Sequence, residues 1–251
     1  MDLDTPALVG LCLLVFLVAA LYSSVGHGGA SGYLATLSFF GIAPAQMATT
    51  ALVLNTLTAT TSFTAYVRAG YLSLALTWPF LVASVPAAFV GGLAHLKDRT
   101  YFLLLAVILT GAAIRLAMSL PASGDGQRTN PPPRTPALAS GAGIGLLSGM
   151  VGVGGGIFLS PIMVLMKWAD AKQTAATSAI FIVVNSIAGL AGRAVGGALQ
   201  FGLLAPLLLA AFLGGLVGSH TGANKFTGLT VRRLLAVVLV IAAFKLVITS
   251  W

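Results

Sequence analysis

Long hydrophobic runs, separated by short polar or glycine-rich stretches, extend along nearly the whole chain of 251 residues. Because a bilayer core takes about 20 apolar residues per helix, this pattern predicts an all-α polytopic membrane protein. We expect ten hydrophobic segments, five on each side of the proline-, glycine- and polar-rich stretch PASGDGQRTNPPPRTP. Their approximate bounds are 6–25, 29–43, 46–67, 72–95 and 100–119 before this stretch, and 137–152, 156–168, 173–192, 198–220 and 231–250 after it.

The segments on the two sides of this stretch resemble each other in sequence. Three pairs of stretches match in the same order: SVGHGGA at 24–30 with MVGVGGG at 150–156, QMATTAL at 46–52 with QTAATSA at 173–179, and LLAVILTGAAIRL at 104–116 with LLAVVLVIAAFKL at 234–246. Ordered matches at similar spacing indicate an internal duplication. The predicted organisation is a membrane repeat at 1–120, a linker at 121–135 and a second membrane repeat at 136–251.

Composition agrees with a membrane protein, since 58% of the residues are hydrophobic, 7% are charged and the mean hydropathy is +1.01. The formal net charge is +8. The basic residues stand singly at the ends of apolar stretches, as loop charges of membrane proteins do, so we expect a lipid bilayer and no nucleic acid as partner. The first hydrophobic run lacks a basic start and a small-residue cleavage site, so we interpret it as a spanning helix.

The basic residues also indicate how the two halves are oriented. An odd number of crossings per half puts eight bases on the side of the linker: Arg68, Arg128, Arg134, Lys167, Lys172, Lys225, Arg232 and Arg233. Three then lie on the opposite side: Lys97, Arg99 and Arg193. An even number of crossings per half, obtained by counting each glycine hairpin as one crossing, puts seven of these basic residues on one side and four on the other. The positive-inside rule therefore favours the odd number, with a cytoplasmic linker, external termini and two inverted repeats of about five segments.

Two glycine clusters, in VGHGGASG and VGVGGGIFLSP, separate a long hydrophobic segment from an unusually short one in each half. Glycine inside a helix costs about 1 kcal/mol relative to alanine, so each cluster predicts a helical hairpin with a glycine tip. Paired interruptions in inverted halves indicate a transporter binding site, where free amides and helix N-termini suit a small anion. We assign this role to Gly26, Gly28, Gly29, Gly152, Gly154, Gly155 and Gly156. The alternative is close helix packing, to which we assign Gly91, Gly92, Gly141, Gly145, Gly214, Gly215 and Gly218.

Polar side chains within the apolar runs are further candidates for substrate binding. The segments after the hairpins carry amides and hydroxyls that can donate to an anion: Thr50, Asn55, Thr177, Ser178 and Asn185. The hydroxyls can instead bond their own helix or a neighbouring one. His27, at a glycine tip, can donate to the anion or carry a coupling proton, or simply bond a carbonyl group. Arg68 and Arg193 end the polar helices, where we expect them to lie at the lipid headgroups.

The acidic residues argue against an enzyme. There is no glutamate, and the five aspartates lie outside the apolar runs: Asp2, Asp4, Asp98, Asp125 and Asp170. No metalloprotease motif or pair of intramembrane carboxylates is present, so we expect no catalytic residues, no metal and no cofactor. A coupling proton would have to be carried by His27 or by the substrate itself.

The motifs VGHGGASG and VGVGGGIFLSP, each followed by an A-x-T or A-T-S polar stretch, resemble the sulfite exporter TauE/SafE family. The resemblance covers nearly the whole chain. The second half matches better, because His27 and Ala30 replace a hydrophobic residue and a glycine in the first. The resemblance implies secondary transport, as an exporter working by alternating access, of a small anion such as sulfite, a sulfonate or another organosulfur compound. It also implies a multi-pass protein of the bacterial inner membrane. A passive anion channel remains the alternative, and the oligomeric state is left open.

Overall fold

The computed structural model describes residues 4–23, 27–94, 96–118, 130, 132–202, 204–222, 240 and 243–248. Their regular secondary structure is α-helical, which confirms the predicted fold class. The helices are α1 (Thr5–Ser23), α2 (Ala30–Phe39), α3 (Pro44–Arg68), α4 (Leu74–Leu93), α5 (Asp98–Met118), α6 (Arg134–Val151), α7 (Gly156–Leu165), α8 (Ala171–Val195) and α9 (Leu204–Gly222). Residues 243–248 are helical as well.

Helices α1 to α9 follow the first nine predicted segments in order. By length and composition, the described helices that can cross a membrane include Thr5–Ser23, Leu74–Leu93 and Lys172–Val195. Helices α2 and α7 have ten residues each, or about 15 Å at 1.5 Å per residue, about half the thickness of a bilayer core. Most of the predicted linker at 121–135 and of the tenth segment at 231–250 lies outside the described residues.

The starts of the two short helices α2 and α7 differ from those of α4 and α8. Helices α4 and α8 begin with side-chain caps, because Ser73 accepts a hydrogen bond from the amide of Leu76 and Asp170 accepts one from the amide of Gln173. Helices α2 and α7 begin at glycines in the left-handed region and have no side-chain cap among the described residues. The first amides of the two short helices are therefore left to other partners.

Glycines bring several pairs of helices into backbone contact, including α4 with α8 at Gly92. Helix α4 lies along α6, and a Cβ atom at Gly141 or Gly145 would collide with the α4 backbone. Helix α1 lies along α9 in the same way at Gly214 and Gly218. This confirms close packing for Gly91, Gly92, Gly141, Gly145, Gly214 and Gly218. Gly215 differs, since a Cβ atom there would make ordinary contact with Thr58 at 3.4 Å.

Helices α3 and α8 pack against each other and run in opposite directions. Tyr71, just after α3, lies under the ammonium group of Lys172 at the start of α8, 5.0 Å from its ring centroid. At the other end, Gly202, beyond α8, lies against Gln46 at the start of α3. The middle of this antiparallel pair is buried among α2, α4, α7 and α9, and the two glycine tips reach it there.

Candidate functional site

The described part of the first glycine tip is fixed by backbone hydrogen bonds at its two ends. The amide of His27 donates to the carbonyl oxygen of Tyr22 at the end of α1, over 2.9 Å. The Thr58 hydroxyl of α3 donates to the carbonyl oxygen of Gly28. Gly29 then takes a φ of 95°, which favours glycine, and starts α2. Gly26 lies outside the described residues.

The second tip turns through three glycines with positive φ. Gly152, Gly154 and Gly155 have φ values of 89°, 74° and 83°. Side chains are rare in this region of backbone space, so the sequence needs glycine there for a backbone reason. A Cβ atom at Gly155 would point towards Ile144 and Phe181, 2.7 Å from each, in the hydrophobic core.

The Asn55 side chain lies between the two tips, at the middle of α3. Its Nδ2 atom donates to the carbonyl oxygen of Val153 over 3.4 Å and to the Ser186 hydroxyl over 3.3 Å. Its Oδ1 atom lies against Gly28 and has no hydrogen-bond partner among the described residues. Gly154 lies against Nδ2 on the other side. Asn55 is 1% exposed, so one buried amide touches both tips.

A second polar link joins the two halves of the chain. The Nε2 atom of His27 and the hydroxyl of Ser160 in α7 are 2.9 Å apart, and Ser160 is 2.8 Å from the hydroxyl of Ser178 in α8. Ser160 also donates to the carbonyl oxygen of Gly156. All three side chains are buried. His27 is therefore held by a hydroxyl of the opposite half of the chain.

Between the tips lies a small cavity, with about 10 Å³ open to the centre of a water molecule. This is enough for about one water. Its lining contains five of the predicted site residues: His27, Gly28, Gly29, Asn55 and Gly156. The other lining residues are Tyr22, Ala30, Ser31, Val153, Ile157 and Ile182. The uncapped starts of both α2 and α7 thus meet at one cavity, and helix starts favour negative charge.

The remaining predicted site residues lie outside this lining. Thr50 is buried in α3. Thr177 bonds Thr77 of α4 over 3.0 Å, and Asn185 donates to the carbonyl oxygen of Phe181 in its own helix over 2.7 Å. Ser178 reaches the cavity residue His27 through Ser160. Binding roles for all thirteen predicted site residues, those in the cavity lining included, stay predictions.

We expected Arg193 to lie at the lipid headgroups, but its side chain is buried against other helices and only 5% exposed. One of its Nη atoms donates to the carbonyl oxygens of Met150 over 2.8 Å and Gly149 over 3.4 Å. The Tyr101 hydroxyl donates to the next carbonyl oxygen, of Val151, over 3.2 Å. These bonds satisfy the end of α6, directly before the second tip. Arg68 is exposed.

Sequence reasoning missed three polar residues near the tips. Tyr22 and Ser31 line the cavity and bond each other over 2.9 Å. Ser160 bonds His27. A usable signal was present for Ser31 and Ser160, which are polar residues within the first five residues of the short segments. The polar candidates were taken from the segments after the hairpins and not from the short segments themselves.

Apolar helices around a small cavity with polar side chains in its lining, and two helix starts directed at it, are what we expect of an integral membrane protein of the transporter class. The family model "Sulfite exporter TauE/SafE" matches residues 11–246. The chain is 35% identical over 246 residues to "Probable membrane transporter protein y4hK" of Sinorhizobium fredii (strain NBRC 101917 / NGR234), covering 97% of this chain and 99% of that protein. No solved structure matches the chain. The chain belongs to the sulfite exporter TauE/SafE family, which confirms the resemblance seen in its motifs.

Proposed function

We propose that the protein is a secondary transporter that exports a small oxyanion, such as sulfite, a sulfonate or a related sulfur compound, across the bacterial inner membrane. The observation that carries this proposal is the meeting of two uncapped helix starts at one buried cavity. Amides at helix starts donate to anion oxygens without adding a fixed positive charge. Such a site can bind an anion and still release it.

Inverted repeats explain how two such helix starts come to face each other. In support, the helices of the two halves correspond in length: 19 and 18 residues for α1 and α6, 10 each for α2 and α7, 25 each for α3 and α8, and 20 and 19 for α4 and α9. The contacts correspond as well, since α4 lies along α6 and α1 lies along α9. Each pair joins one helix of either half. The antiparallel α3 and α8 fit a two-fold axis in the membrane plane.

Alternating access fits the size of the cavity better than a permanently open channel. A space for about one water is too small for an oxyanion of four or more heavy atoms. Binding therefore requires the two tips to separate, and the His27–Ser160 and Asn55–Val153 bonds hold them together in the closed state. His27 is the candidate for a coupling proton, because its imidazole contacts both the cavity and the opposite half.

Counterflow tests a carrier against a channel. The purified full chain is reconstituted into liposomes loaded with ³⁵S-labelled sulfite, and unlabelled sulfite is then added outside. A carrier that alternates releases label faster when external substrate is present, because each return step is then loaded. Protein-dependent release that is unaffected by external sulfite contradicts alternating access and favours a channel. If label stays at the level of protein-free liposomes for sulfite and for sulfonates, the substrate class is wrong.

A further inference from the structure

The Asn55 carbonyl oxygen is an acceptor in a cavity otherwise arranged to donate. The orientation of the amide follows from its neighbours: the Val153 oxygen can only accept, so Nδ2 must face it. The Oδ1 atom is then directed at Gly28, and both Asn55 and Gly28 line the cavity. Oδ1 has no hydrogen-bond partner among the described residues. A buried acceptor without a partner is rare in native structures and calls for a ligand or a water.

An acceptor next to an anion site selects for the ligand's own hydrogen-bond donors. Amides at the starts of α2 and α7 can donate hydrogen bonds to the charged oxygens of a ligand. A ligand oxygen without a hydrogen would instead face Oδ1 acceptor to acceptor, which is unfavourable at a buried position of low dielectric constant. The hydroxyls of Tyr22 and Ser31 can adapt to either case because they both donate and accept. The Asn55 carbonyl oxygen can only accept a hydrogen bond, so it cannot adapt in this way.

We propose that this site selects oxyanions that carry one O–H group, which donates to Oδ1 of Asn55 while the helix-start amides bind the charged oxygens. The inference rests on the proposed function and deepens it. The O–H group has two possible sources: the acidic hydrogen of a monoprotonated anion such as hydrogensulfite, or a hydroxyl group on a sulfonate. Since sites built to bond a hydroxyl discriminate strongly against analogues that lack it, we expect a preference of at least about tenfold.

Two measurements on the unmodified protein separate these sources. In the first, 2-hydroxyethanesulfonate and ethanesulfonate, which differ by one oxygen, compete against ³⁵S-labelled sulfite for the purified full chain. The hydroxylated compound should bind at least about tenfold more tightly, at any pH. In the second, sulfite affinity is measured one pH unit below and one above the pKa of hydrogensulfite. It should be higher below this pKa. The absolute affinity for ethanesulfonate, which does not titrate in this range, is measured at the same two pH values and corrects for titration of protein groups such as His27 in the cavity lining.

A pair of variants locates the preference. Asn55→Leu keeps the approximate size of the side chain and removes the acceptor. Ser148→Ala is the control, because it removes another buried side-chain oxygen that has no hydrogen-bond partner among the described residues but lies outside the cavity lining. We expect the sulfonate ratio to fall to about one in Asn55→Leu and to stay unchanged in Ser148→Ala.

Equal binding of the two sulfonates, together with pH-independent sulfite affinity, overturns the inference, since Oδ1 would then be satisfied by water or protein. Loss of the preference in Ser148→Ala but not in Asn55→Leu overturns it as well. If Asn55→Leu does not fold, the two measurements on the unmodified protein decide alone. If no oxyanion binds under any condition, the proposed function itself is wrong, which is a distinguishable result.

Discussion

An alanine at Gly154 should abolish sulfite binding while leaving a folded protein. At a φ of 74°, a residue with a side chain costs about 1–2 kcal/mol relative to glycine. Its Cβ atom would also overlap Nδ2 of Asn55, and such overpacking costs about 1–3 kcal/mol. The summed loss of about 2–5 kcal/mol stays below the stability of most folded proteins. The Asn55 amide must then leave Val153 and Ser186, and the second tip loses its hydrogen bond from Asn55 of α3.

Gly197→Ala is the matched control for backbone strain. Gly197 has a φ of 70°, close to that of Gly154, and a Cβ atom there would have nothing within 4 Å. It should therefore lose only about 1–2 kcal/mol of stability and bind sulfite normally. Thermal unfolding in detergent and equilibrium binding of labelled sulfite, measured on the same preparations, separate strain from loss of the site. Wild-type sulfite affinity in folded Gly154→Ala would refute the placement of the site between the tips.

Three further predictions concern the buried arginine, the histidine link and the topology. Arg193→Gln should lower the thermal midpoint of unfolding, since unsatisfied carbonyls at the end of α6 cost about 1–3 kcal/mol each. Arg68→Gln, at an exposed residue, should leave the midpoint nearly unchanged. Equal effects of the two variants would contradict the role of Arg193 in capping the end of α6. Ser160→Ala should alter the pH dependence of sulfite flux, because it removes one hydrogen-bond partner of His27. Ser140→Ala, which loses a bond within its own helix, should not, and identical pH profiles of the two variants would exclude the His27–Ser160 link from coupling. Once Cys12 is replaced, single cysteines at positions 3 and 126 should react with an impermeant maleimide from opposite sides of the membrane; labelling from one side contradicts inverted repeats.

Local sequence patterns predicted the helices and the interruptions between them. The brevity of α2 and α7 followed from the distance between a glycine cluster and the next polar stretch. Close packing at Gly141 and Gly145 followed from their spacing of four residues, which puts both on one face of α6. Such features depend on neighbours along the chain, and the sequence contains them directly.

Contacts between residues that are distant in the sequence could not be predicted from the sequence. Arg193 is near the end of its helix, and only the packing of α6 against α8 brings the carbonyl oxygens of Met150 and Gly149 within its reach. Gly155 and Gly156 are adjacent in one motif, yet Gly156 lines the cavity and Gly155 faces the core. Which glycine contacts the site depends on backbone φ angles, and these cannot be read from a run of identical residues.

Equilibrium binding of labelled sulfite to Gly28→Ala tests the central claim most directly. Gly28 does not have a positive φ, so alanine adds no left-handed backbone strain there. Its Cβ atom would overlap Oδ1 of Asn55 and fill the space between the tips. We predict saturable binding to the wild type and to Gly111→Ala, a helical control with nothing within 4 Å of the added atom, and no binding to folded Gly28→Ala. Wild-type affinity in Gly28→Ala would contradict the claim that the anion binds between the two glycine tips.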